Sequence, residues 1–332
     1  MDEVVTWKRV LSAIFYGVTS IIIVFVNKIL LTNYRFPSFL FVGFGQMIAT
    51  VIVLFLARML KIVSFPAFDY SIPRKIMPLP LLFVVNLVSG LGGTKLINLP
   101  MFTVLRRFSI LMTMVLEYYI LGVKASRAVR VSVCMMIAGS IIAALFDLTF
   151  DLWGYTLIGL NDICTAALGV YTKQKLEAKE LGKYGLMFYN SLFMLIPTFL
   201  LICYTGDTER VSMQFTFATR FIMSDEMTAS AWACFVVSCI CGFVLNYSLV
   251  LCTHFNSALT TTCVGPIKNL FVTYVGMFSS GDYLFQWTNF IGINVSVMGS
   301  ILYTYVTFRT KSITQRHIVV NAASKVEKQP LI

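Results

Sequence analysis

The sequence predicts an all-α integral membrane protein whose ten transmembrane helices form two inverted five-helix repeats. Three observations carry that expectation. Of the 332 residues, 58% are hydrophobic and 12% charged, against the roughly 25% charged residues of ordinary soluble domains; mean hydropathy is +0.82. Ten apolar runs are long enough to cross about 30 Å of hydrocarbon, which takes roughly 20 residues of helix. Lys and Arg concentrate in alternate connections between these runs, as positive-inside sorting requires.

The first five runs are Val10–Leu31, Ser38–Leu60, Leu79–Leu99, Met101–Leu121 and Ala128–Leu145. The second five are Trp153–Lys173, Tyr184–Tyr204, Ser230–Leu251, Ser257–Met277 and Trp287–Arg309. The third carries Asn86, Ser89, Gly90, Gly92, Gly93 and Lys95, is the least apolar, and is expected to face an interior. MDEVVTWKRV leads into a full-length span with no small-residue cleavage site behind it, so no cleaved signal is expected. Lys8, Arg9, Lys61, Arg74, Lys75, Lys124, Arg127, Arg130, Lys173, Lys175, Lys179, Lys183 and the tail after Arg309 fall on one side. The other side has Arg35, Arg210 and Arg220. Both termini are therefore expected in the cytosol.

Five spans per half is an odd number, so the second half, 146–309, must run opposite to the first, 1–145. A short polar tail occupies 310–332. Traces of a repeat survive in the sequence: VFVNKILL (24–31) lies over LGVYTKQKL (168–176), and VLRRFSILMTMV (104–115) over PIKNLFVTYVGM (266–277). The second match sets Arg106 over Lys268. In inverted-repeat transporters the substrate site lies near the midplane, at the repeat interface.

Intramembrane charges are expensive and read as functional by default. Lys268 falls about 17 Å into the ninth span at 1.5 Å per residue. Gly265 and Pro266, just before it, loosen the helix and expose carbonyls. An ammonium there suits an anion that arrives and leaves; the alternative is a lasting pair with Asp162 or Glu117. Arg106 and Arg107 lie roughly 8–10 Å in from the Pro100 end and, as adjacent helical residues, point about 100° apart. One is expected to meet substrate, where guanidinium suits phosphate, and the other to serve the fold. The repeat favours Arg106 for the substrate.

Tyr189 and Asn190 in FYNS could stack on and hydrogen-bond a base, or pack between helices. Asn27 and Lys28 end the first span, where snorkelling competes with function. Asn246, Tyr247 and Thr260–Thr262, Thr261 among them, could bind a ligand or join helices.

Other classes find little support. A net charge of +11 comes with no basic stripe or nucleic-acid motif, so no nucleic-acid partner is expected. The eight cysteines fall within or at the ends of apolar spans, with no disulfide or metal spacing. No Ser-His-Asp, HExxH, P-loop or nucleotide-binding glycine motif appears, so no enzyme, metal or cofactor is expected. A membrane-embedded glycosyltransferase would want a carboxylate-rich site, whereas the intramembrane charge here is mainly positive. A sugar-phosphate or other organic-anion exchanger stays open, as does a membrane scaffold.

VNKILLTNYRFPSFLFVG, PMFTVLRRFSIL, KQKLEAKELGKYGLMFYN, NSALTTTCVGPIKNLFVTYVGM and GDYLFQWTNFIG together resemble the nucleotide-sugar transporters of the drug/metabolite transporter superfamily, along nearly the whole chain. The resemblance is greatest to the UDP-glucuronic acid/UDP-N-acetylgalactosamine branch and its nematode-type UDP-sugar transporters. It implies a ten-helix Golgi antiporter that admits UDP-glucuronic acid, UDP-N-acetylgalactosamine or UDP-galactose in exchange for UMP. The endoplasmic reticulum is left open as a second location and a homodimer as an assembly. The FYN motif falls on Phe188, Tyr189 and Asn190 and implies nucleotide recognition. The glycine-to-lysine motif falls on Gly265 to Asn269 and implies that Lys268 meets the phosphates. GDP-mannose relatives have a second Asn where this chain has Ser191, and place their lysine after an asparagine; here Lys268 precedes Asn269, which fits a uridine-reading branch.

Overall fold

The computed structural model describes residues 2–34, 36, 38–96, 105–144, 151–206, 226–265, 291–292 and 294–307. Every regular element among them is helical. In chain order these are α1 (Asp2–Lys28), which runs into a π-turn at Ile29–Asn33, α2 (Phe39–Met59), the short α3 (Ile72–Ile76), α4 (Leu79–Leu96), α5 (Phe108–Leu121), α6 (Arg127–Ala144), α7 (Leu152–Ala178), α8 (Gly182–Tyr204) and α9 (Glu226–Phe255). Residues 258–265 form α10 and 294–307 form α11. Among the described residues, four helical stretches are long and apolar enough to cross a bilayer: Trp7–Leu31, Phe39–Met59, Gly182–Tyr204 and Ser230–Phe255.

Local chemistry sets the helix ends. Ser38 accepts the Phe41 N–H at 3.1 Å to start α2, and Asp151 accepts the Trp153 N–H at 3.3 Å to start α7. Gly122 ends α5 in the left-handed region (φ 66°), where a side chain is disfavoured. α7 continues past the predicted end at Lys173 to Ala178, because Lys173 pairs with Glu177 one turn on at 3.5 Å and donates to the His254 carbonyl at 3.1 Å. His254 lies in the last turn of α9. A larger departure concerns the two arginines. They form a turn ahead of α5, closed by Ser109 N–H to Arg106 O at 3.3 Å and Ile110 N–H to Arg107 O at 3.1 Å. Arg107 keeps helical backbone angles (φ −73°, ψ −18°), and the i→i+3 bonds tighten the turn toward the roughly 120° offset of a 3₁₀ helix.

Among the described residues α4 on α7 is the most extensive interhelix packing, followed by α1 on α9 and, close behind it, α2 on α9, α2 on α8 and α5 on α7. Between α4 and α7, Asn86 donates to the Asn161 carbonyl at 2.9 Å while Asn161 donates to the Asn86 carbonyl at 2.6 Å. A Cβ at Gly90 would lie 2.8 Å from the Asn161 amide nitrogen, and one at Gly93 would lie 2.8 Å from Ile158 Cγ1. The glycines of the third span thus permit close approach, which drives helix association where water cannot. Between α1 and α9, Thr19 and Ser248 share a 2.8 Å hydrogen bond. Asn27 accepts from Ser238 of α9 at 2.6 Å and from Gln46 of α2 at 3.4 Å. α6 meets α11 through Gly139, where a Cβ would lie 2.4 Å from the Ser296 nitrogen.

Candidate functional site

The arginine turn separates its two side chains. Arg107, half-buried, donates to the Ser296 hydroxyl of α11. Arg106 is exposed, and its charge acts on Tyr16 of α1 and on Asp162 of α7. Tyr16 lies midway along α1 and Asp162 about 15 Å into α7 at 1.5 Å per residue. Asp162 is buried, and its Oδ1 has no hydrogen-bond partner among the described residues.

The FYN side chains lie at the end of the bundle that carries the basic loops. Tyr189 is 1% exposed, and its hydroxyl donates to the Pro66 carbonyl at 2.8 Å. Its ring meets Phe65 and Phe188 edge-on, at 6.1 and 5.1 Å, and Arg58 stands 4.8 Å over Phe65. Tyr189 thus pins the loop after α2 onto α8. Asn190 differs: its Oδ1 is buried without a partner among the described residues, leaving an acceptor for a ligand's N–H. Tyr247 stacks on Tyr184 at 6.3 Å with the rings nearly parallel, and Asn246 donates to Ser191 at 3.3 Å.

The remaining candidates divide. Asn27 is the three-helix junction described above, and Lys28 is exposed in the last turn of α1. Thr261 is buried and bonds Thr253 at 3.1 Å and the Ser257 carbonyl at 3.2 Å, joining the α9–α10 turn. Gly265 is the last described residue of α10, and a Cβ there would meet nothing within 4 Å among the described residues. Lys268 and Asn269 lie outside the described residues. Sequence reasoning named Glu117 and Asp162 only as partners for Lys268; it missed Tyr16 and Ser296, which look like ordinary span residues. Glu117 accepts the Leu259 N–H at 2.9 Å.

Known proteins bear on the same residues. The profile described as the Triose-phosphate Transporter family matches residues 9–304. The chain is 73% identical over 308 residues to "UDP-sugar transporter sqv-7" of Caenorhabditis elegans, covering 93% of this chain and 92% of that one. It is 51% identical to "UDP-sugar transporter UST74c" of Drosophila melanogaster over 93% of this chain and 81% of the relative. To the human "Nucleotide sugar transporter SLC35D2" it is 49% identical over 91% and 87%. A solved crystal structure overlays with a TM-score of 0.59 at 12% identity, covering 90% of this chain and 98% of its own, a likeness of fold alone. With the profile spanning nearly the whole chain, and relatives this similar on both sides of it, the protein belongs to the triose-phosphate transporter family.

Proposed function

We propose that the protein is a Golgi-membrane antiporter that brings UDP-sugars into the lumen in exchange for UMP. The observation that carries this reading is near-full-length identity of 49–73% to proteins named as UDP-sugar or nucleotide-sugar transporters. The site's chemistry agrees with it. The Arg106 guanidinium suits phosphate, and the unpartnered acceptor of Asn190 suits a base N–H. Lys268, Asn269 and Gly265 complete the phosphate grip in this reading. Exchange follows if an empty cationic site makes reorientation slow.

The ten-helix inverted repeat is part of the proposal, with halves at 1–145 and 146–309 and both termini cytosolic. It is supported by the pattern of packing. An inverted repeat maps the first span onto the sixth and the third onto the eighth. It therefore maps the first–eighth contact onto a sixth–third contact. α1 on α9 and α7 on α4 are that pair.

Purified protein in liposomes tests the function. Uptake of labelled UDP-sugar driven by internal UMP is expected, with competition from unlabelled UDP-glucuronic acid, UDP-N-acetylgalactosamine and UDP-galactose. A panel with GDP-mannose, CMP-sugar and a triose phosphate ranks the alternatives. Strong inhibition by GDP-mannose with none by UMP overturns the uridine assignment, and glycosylated product without uptake replaces the transporter with an enzyme.

A further inference from the structure

Glu117 is 5% exposed, in the last turns of α5, and its Oε1 accepts the backbone N–H of Leu259 at 2.9 Å. Leu259 is the second residue of α10. The first N–H groups of a helix find no partner within it. α10 has two such groups capped from different places: Ser257 of its own chain segment accepts the Thr260 N–H at 3.1 Å, and Glu117 takes Leu259 from across the interface.

One turn away, Thr113 and Thr262 approach to 3.4 Å between hydroxyls. The pairings 117 with 259 and 113 with 262 make α5 and α10 antiparallel. α5 begins directly after Arg106 and Arg107, so the arginine turn sits at the end of this helix pair away from the Glu117 cap.

We propose that Glu117 is a positioning residue: by capping α10 from α5 it fixes the register of the two helices and so the placement of the arginine turn, at the head of α5, that serves the ligand's phosphates. This rests on the transport reading above. The required property is a carbonyl oxygen within reach of the Leu259 N–H, not a negative charge as such. Two near-isosteric variants separate these. Glu117→Gln keeps the reach and loses the charge; Glu117→Asp keeps the charge and withdraws the oxygen by one methylene.

Two readouts are needed. Hydrogen exchange of the peptide spanning residues 257–264 is expected to match wild type in Glu117→Gln and to rise about ten-fold in Glu117→Asp. In liposomes, KM for UDP-sugar and for UMP is expected to rise together, about five-fold or more, in Glu117→Asp, with the maximal rate per folded transporter held within about two-fold; Glu117→Gln stays near wild type in both. Glu117→Gln failing while Glu117→Asp stays near wild type would assign the residue a counter-charge role and overturn the cap. Faster exchange at 257–264 with unchanged KM would leave a cap without a positioning role, and the proposal fails there too. A wild type that exchanges nothing overturns the transport reading and the ligand half of the proposal, while the cap itself is still decided by hydrogen exchange alone.

Discussion

Arg107 donates to the hydroxyl of Ser296, tying the start of α5 to α11, while the adjacent Arg106 sends its charge toward Tyr16 and Asp162. Neighbours in sequence thus serve different parts of the molecule. Arg107→Ala and Ser296→Ala are each expected to cost about 1.5–3 kcal/mol, the worth of a hydrogen bond to a charged group. Both would lower the melting temperature in detergent. Arg106→Ala is expected to express and melt normally, with affinity for UDP-sugar and UMP weakened together because both carry phosphate. Unchanged affinity for both ligands in a well-expressed Arg106→Ala would remove it from the site.

Lys268→Ala and Lys268→Gln are expected to abolish exchange while the protein still reaches the Golgi, because an ammonium–phosphate contact in a low-dielectric cavity is hard to replace. Lys268→Arg restores charge but stays impaired, since a planar fork does not fill the place of a point charge. Uptake measured in liposomes, with localisation by microscopy, checks both halves. Normal transport by Lys268→Ala would favour a structural ion pair.

For Tyr189 the hydroxyl and the ring make separate predictions. Tyr189→Phe deletes the bond to the Pro66 carbonyl and is expected to lose about 0.5–1.5 kcal/mol. Hydrogen exchange of residues 60–71 should speed up, with KM near wild type. A raised KM with unchanged loop protection would mean instead that the hydroxyl meets the base.

The glycine seams predict a graded response. Gly139→Ala places a Cβ 2.4 Å from the Ser296 backbone nitrogen, which no rotamer change relieves, whereas Gly90→Ala meets the Asn161 side-chain amide at 2.8 Å. Overpacking of this kind costs about 1–3 kcal/mol and more where backbone must move. The Gly139 variant is therefore expected to give less folded protein by size-exclusion chromatography than the Gly90 variant. Equal yields would mean that α6 and α11 yield as readily as a side chain.

Much of this architecture was legible because bilayer thickness fixes span length: α2 and α8 fall within about two residues of the runs read from hydropathy. The arginine turn was not legible, since two polar residues inside an apolar run look like a continuing helix. α7 outran its predicted end because QKLEA continues the helix beyond the apolar stretch. Phe188–Asn190 were visible as a motif, but the partner of Tyr189 is Pro66, 123 residues away. No local pattern encodes that contact. Asp162 was visible as a charge, yet its neighbour in space is Arg106 and its sequence context says nothing of it.

The reciprocal bond between Asn86 and Asn161 has a consequence for biogenesis. The two residues are 75 positions apart in the chain. At about 5–20 residues per second of synthesis, α4 enters the membrane some 4–15 s before its partner helix exists. During that interval an amide and a glycine-lined face stand in the bilayer without the surface that completes them. α1 waits longer still, since Thr19 and Ser248 are 229 positions apart. The order of manufacture and the order of assembly are therefore opposed, and the nascent first half depends on a sheltering partner until the second half arrives.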